Sequence, residues 1–190
     1  MEQICAVIDV QGFQFSDRFV PREVAIISDK ISQVMELDTK INWRELNEQD
    51  RAVVLYSTQE IHGLHFNPFN PKDSCFLYTS NEIGKIINIW YDMIATESKP
   101  LFAFKNQQLG KILSELEIPS FDLDDPALNI PPYEKIKEHF GDNYLCGIHK
   151  RPPTHKRFIL NCAYRKANQL YRLIKESCEV EKVEDWSIEI

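Results

Sequence analysis

The sequence contains no apolar run approaching the roughly 18–20 residues that cross a bilayer, so no membrane partner is expected. Its opening stretch, MEQICAVIDV, lacks a basic n-region and a small-residue cleavage site, and it reads as a first strand instead of a signal peptide. The five cysteines are odd in number and irregularly spaced, which argues against a disulfide framework. A reduced, intracellular setting, cytoplasmic or nuclear, is therefore expected, and there a thiol cluster points to metal. No internal repeat and no low-complexity segment is present.

Acidic residues are missing from one region in particular. Every charged residue between Lys150 and Lys175 is basic, namely Lys150, Arg151, Lys156, Arg157, Arg165, Lys166, Arg172 and Lys175. An acidic tail follows, and the chain as a whole carries a formal charge of −7. That balance excludes a generally nucleic-acid-coating protein. A local basic field still reaches about 8–10 Å and can attract an anionic partner, or it can be a solvated helix face. The 190 residues suit one domain over 1–178 with an acidic tail over 179–190.

The β-branched runs ICAVIDVQGFQF, FVPREVAIISD and ISQVMELDT predict three strands in an antiparallel meander. NEQDRAVVLYSTQEIHGL is helical in character and stops at Gly63. A Thr/Ser cap then precedes a helix with Ile83, Ile86, Ile87, Trp90 and Ile94 on one stripe. PLFAF reads as a central strand, NQQLGKILSELEI as an amphipathic helix, and PSFDLDDPALNIPPY as a Pro-rich connection with room for a short strand. YEKIKEHFG is a brief helix, and a closing helix places Ala163, Ala167, Leu170 and Ile174 inward, with the last dozen residues fraying. Three strands followed by helix–strand–helix units define an α/β protein, a mixed sheet with helices on both faces.

Chemistry concentrates late in the chain. Cys146 and His149 form a Cys-x-x-His pair and Cys162 adds a third soft donor, a set suited to Zn²⁺. His155 is an alternative imidazole. Cys5, Cys75 and Cys178 fit no ligand spacing, and His62 and His65 read as turn residues around Gly63.

The element order, with VIDVQG, IHGLHFNPF, the stretch after PLFAF and LNCAYRKANQLY, resembles the ribonuclease H-like exonucleases of the DnaQ, or DEDDh, type. Those enzymes hold two divalent cations about 3.5–4 Å apart on carboxylates. Here Asp9 stands at the first position, but Gln11 replaces its paired glutamate. No Asp or Glu lies in KNQQLGK, and Asn161 and Lys166 stand at the spacing of the final His and Asp. An amide is a poor Mg²⁺ ligand and an ammonium repels the ion, so Asp9 is expected to be a relict and no residue is assigned a catalytic role. A residual metal nuclease using Asp9 with Asp122, Asp124 or Asp125 remains the alternative.

Within that fold the chain resembles the Maelstrom domain of small-RNA and transposon silencing, whose mark is a Glu-Cys-His-Cys tetrad. VPREVAII resembles the strand that supplies the Glu, and CGIH with a later Cys supplies the rest. The resemblance implies a structural Zn²⁺ on Glu23, Cys146, His149 and Cys162, and binding with weak cleavage of single-stranded RNA. The expected RNA contacts are Lys150, Arg151, Lys156, Arg157, Arg165, Lys166 and Arg172, with Tyr164 and Tyr171 as stacking aromatics. The HMG box usual in Maelstrom proteins is lacking in this chain. A protein-interaction adaptor on an inactive nuclease fold is the competing expectation.

Overall fold

A computed structural model describes residues 4–66, 78–95, 99–140 and 162–185, with side chains of the last helix described through Ser177. The alternation of the first three apolar runs produces β1 (Ile4–Gln14), β2 (Phe19–Ser28) and β3 (Ser32–Glu36). A 3-10 turn leads into α1 (Glu48–Tyr56), capped by the Asn47 side chain, which accepts the Asp50 N–H at 2.8 Å. After α1 come α2 (Ile83–Ile94), β4 (Leu101–Phe104), α3 (Gln107–Glu115), β5 (Ser120–Asp122), α4 (Tyr133–Phe140) and α5 (Ala163–Asp185).

The strands form one open mixed sheet in the order β3-β2-β1-β4-β5. β2 runs antiparallel to both neighbours, while β4 is parallel to β1 and β5 to β4. The chain is thus α/β, a five-stranded sheet flanked by helices. β1 is the middle strand, and β4, the PLFAF strand, lies inside the sheet between β1 and β5.

Strand periodicity sorts the side chains onto two faces. Ala6, Ile8, Val10, Val24 and Ile26 pack against the α2 stripe of Ile83, Ile86, Ile87, Trp90 and Ile94, joined by Leu109 and Leu113 of α3. Val7, Ala25, Ile27 and Ala103 face the other way, toward Ile136 of α4 and Ala163, Ala167, Leu170 and Ile174 of α5. Small residues on both sides of that second seam let α5 lie close to the sheet. A third cluster, Phe13, Phe15, Val20, Leu46, Val54 and Phe66, fills the space under the far end of the β1–β2 hairpin.

Two further features shape the site. The β1–β2 register shifts between Gln11 and Gly12, and a Cβ on Gly12 would collide with the Val20 carbonyl oxygen, so only glycine fits. The backbone of α5 continues helical to Asp185, so the acidic segment expected as a frayed tail from 179 begins as part of that helix.

Candidate functional site

The same alternation places Asp9, Gln11 and Glu23 on the α5 face of the sheet. Asp9 pairs with Ala25, Gln11 with Glu23, and Glu23 in turn with Glu36. All three polar residues are buried, Glu23 completely. Burying a carboxylate is costly unless partners compensate it. For Asp9 the direct partner is the Gln11 amide, whose Nε2 donates to Oδ2 at 2.9 Å. Burial pushes the Asp9 carboxyl up to about 6, against the opposing pull of the Lys166 charge, the Gln11 hydrogen bond and the Val10 backbone. Lys166 itself stands on α5 with its Nζ 5.2 Å from the Tyr133 ring centre.

His62 closes the other side of the bulge. Its Nδ1 accepts the Leu64 N–H at 3.0 Å, which leaves the proton on Nε2 to be donated to the Gly12 carbonyl, also at 3.0 Å. Burial holds the imidazole down at about 4, with the Gly12 hydrogen bond opposing and the Lys166 charge assisting. Neutral His62 is a structural clasp with both nitrogens engaged.

Asn106, where the exonuclease comparison leads toward the second catalytic Asp, is also structural. Its Oδ1 accepts the Gln108 N–H at 2.9 Å to cap α3, and its Nδ2 donates to the Val10 carbonyl at 3.2 Å. The alternative acidic residues sit at the end of β5, separated from β1 by β4. Asp122 and Asp125 accept backbone N–H groups of their own turn, and Asp124 pairs with Lys105 at 2.6 Å.

At the start of α5, Glu23 meets the residue that follows Cys162. Glu23 Oε1 accepts the N–H of Ala163 at 2.5 Å, spanning 140 residues of sequence. The preceding residue, Cys162, is buried, and its sulfur accepts the Arg165 N–H at 3.4 Å. A carboxylate and a thiol are donors of the kind that Zn²⁺ takes. Cys146 and His149 lie outside the described residues, as do His155, Lys150, Arg151, Lys156 and Arg157. Among the described residues no group of three or more His, Cys, Asp or Glu is assembled.

The basic run does not form one surface. Arg165, expected as an RNA contact, is fully buried. Lys166 is half-buried, Arg172 is exposed, and Lys175 is paired with Asp29 at 2.7 Å. Residues of one helix fan out by about 100° each, so a linear charge run cannot all face solvent together. The expected aromatics differ as well. Tyr171 is buried in the seam, and the Tyr164 hydroxyl bonds Ser32 Oγ at 2.8 Å. The rings that meet the cations come from α4 instead, Tyr133 under Lys166 and Phe140 under Arg172 at 4.5 Å.

Chemically, the position that resembles a two-metal centre offers one carboxylate pinned by an amide, with a cation in its field. A second sheet carboxylate, Glu23, is turned to the α5 backbone. No known protein-family model, no curated protein and no solved structure is similar to this chain.

Proposed function

We propose that the protein is a catalytically silent, nuclease-like module that binds single-stranded RNA, in keeping with the Maelstrom resemblance and its role in small-RNA silencing. The observation that carries the silent part is the pinning of Asp9 by the Gln11 amide at 2.9 Å, with the Lys166 charge acting on the carboxyl from α5. The sheet and its flanking helices are compatible with a ribonuclease H-like arrangement. The RNA part is supported by the acid-free run from Lys150 to Lys175, one of whose described exposed members, Arg172, lies against α4. Glu23 and Cys162, with Cys146 and His149, would hold one Zn²⁺, which when bound supplies a closed structural cross-link between β2 and α5. The deciding experiment measures binding of a labelled single-stranded RNA by fluorescence anisotropy across a salt titration, with Mg²⁺ present and the RNA recovered for length analysis. Salt-dependent binding with intact RNA supports the proposal. Mg²⁺-dependent shortening that Asp9→Ala abolishes overturns the silent assignment.

A second reading has its own observation. Ile89 and Met93 on α2 are 46% and 54% exposed, one turn apart on the side away from the buried stripe. Leu55 and Tyr56 of α1 are likewise exposed. Exposed apolar pairs of this kind suit a protein partner, and the adaptor reading is favoured if RNA binding is absent.

A further inference from the structure

The contacts between α4 and α5 set their relative direction. Tyr133, at the start of α4, meets Lys166 by its ring and Gln169 by its hydroxyl, at 2.7 Å. Phe140 and His139, at its end, meet Arg172 and Glu176. The two helices therefore lie side by side and run the same way, with one cation–ring pair at each end of the seam.

These two cations differ from several others on the surface, which are ion-paired. Lys40, Lys85, Lys105 and Lys175 each have a carboxylate within 2.8 Å. The side chains of Lys166 and Arg172 have no hydrogen-bonded or ion-paired partner among the described residues, although acidic residues outnumber basic ones by 29 to 22 in the sequence. Each is seated on an aromatic face instead. The Arg172 guanidinium lies 4.5 Å from the Phe140 ring centre, and His139 packs edge-on against the same ring at 4.7 Å. A guanidinium stacked in this way keeps its donors in a fixed plane, ready for a bidentate acceptor, and loses little side-chain freedom on binding.

The geometry points to a two-point phosphate clamp along the α4–α5 seam, in which Arg172 on Phe140 and Lys166 on Tyr133 take the backbone of a single strand. Six residues separate the cations on α5, a rise of about 9 Å along the axis with a turn of about 120° around it, so both reach the α4 seam from different sides of α5. Arg172, exposed, is the outer, bidentate point and Lys166, half-buried, the inner, monodentate one. The clamp rests on the RNA-binding reading above and adds to it the residues and the ligand group recognised.

The test uses the full chain and a labelled oligouridine, with anisotropy read at several salt concentrations and an oligoglutamate peptide as competitor. Arg172→Gln is expected to weaken binding by about five- to tenfold and to reduce the logarithmic salt slope by about 0.7. Phe140→Leu keeps the charge and the apolar volume, so it is expected to weaken binding by about threefold with the slope unchanged. Circular dichroism melts of both variants establish that they are folded. If the unmodified chain binds RNA and Arg172→Gln binds with the same affinity and slope, the clamp is overturned while the RNA reading stands. Failure of the unmodified chain to bind at low salt overturns both. Oligoglutamate bound more tightly than RNA, with the same dependence on Arg172, gives the seam to an acidic protein partner and overturns the phosphate assignment.

Discussion

Glu23 of β2 accepts a hydrogen bond from the backbone N–H of Ala163 at 2.5 Å, so a carboxylate from inside the sheet caps the last helix. A helix N-terminus leaves its first N–H groups without partners inside the helix and carries a partial positive charge, which suits a carboxylate. Replacing Glu23 by Ala should destabilise the protein by about 2–3 kcal/mol, since a charge-assisted bond is lost in a buried place. Glu23→Gln keeps an acceptor oxygen and should cost about half as much. Denaturant unfolding of the two variants checks the order. Equal stability of Glu23→Ala and the unmodified protein would refute the capping role.

The zinc expectation has a separate readout. Purified without chelator, the protein should contain one Zn²⁺ by elemental analysis, and Cys146→Ser or Cys162→Ser should release it and lower the melting temperature. Cys5→Ser, at an exposed strand residue, should do neither. Protein that carries no zinc, and that melts identically with zinc and with chelator, would remove the Maelstrom comparison's main support.

Asp9 and His62 should pull stability in opposite directions as pH changes. Asp9 is raised from 3.8 to about 6 in the folded protein, so its contribution is complete below 3.8 and is lost as pH rises through 6. His62 is lowered from 6.5 to about 4, so its contribution is present above 6.5 and is lost as pH falls through 4. Each displacement is worth about 3 kcal/mol, and between pH 4 and 6 the two slopes nearly cancel. Asp9→Asn should therefore leave stability rising with pH across that window, and His62→Gln should leave it falling. Urea midpoints measured at half-unit pH steps give the slopes; parallel curves for the two variants would disprove the pairing.

The Asp9 position should be closed to divalent cations. Calorimetric titration with Mg²⁺ or Mn²⁺ is expected to show no heat that Asp9→Asn removes. A micromolar site lost in that variant would show that the Lys166 field does not exclude the ion. Lys166→Met should raise the Asp9 carboxyl further, because the cation is one of the influences holding it down.

Much of this arrangement was legible in the sequence because it depends on period. The α2 stripe at Ile83, Ile86, Ile87, Trp90 and Ile94 was readable from spacing alone, and all five are buried. The meander was readable from its β-branched alternation. The meeting of Glu23 with the residue after Cys162 lay 140 residues beyond any local signal, and only the resemblance suggested it. The burial of Arg165 was not legible, because a run of like charges says nothing of rotation about the helix axis. Tyr133 and Phe140 were missed because their role depends on how α4 lies beside α5, which no spacing within either helix specifies.

The long reach from β2 to α5 also orders events in time. β1, β2 and β3 pair with near neighbours in the chain, and such local contacts form early. The Glu23 carboxylate then waits on its sheet face for an amide 140 residues downstream. At ribosomal speeds of 5–20 residues per second that interval is roughly 7–28 s. Throughout it, the apolar seam begun by Val7, Ala25 and Ile27, and later joined by Ala103, lacks its α5 cover. Until Cys162 and Ala163 emerge, the nascent chain presents an open sheet with a charge at its centre, a substrate for chaperones and proteases that the finished protein no longer offers.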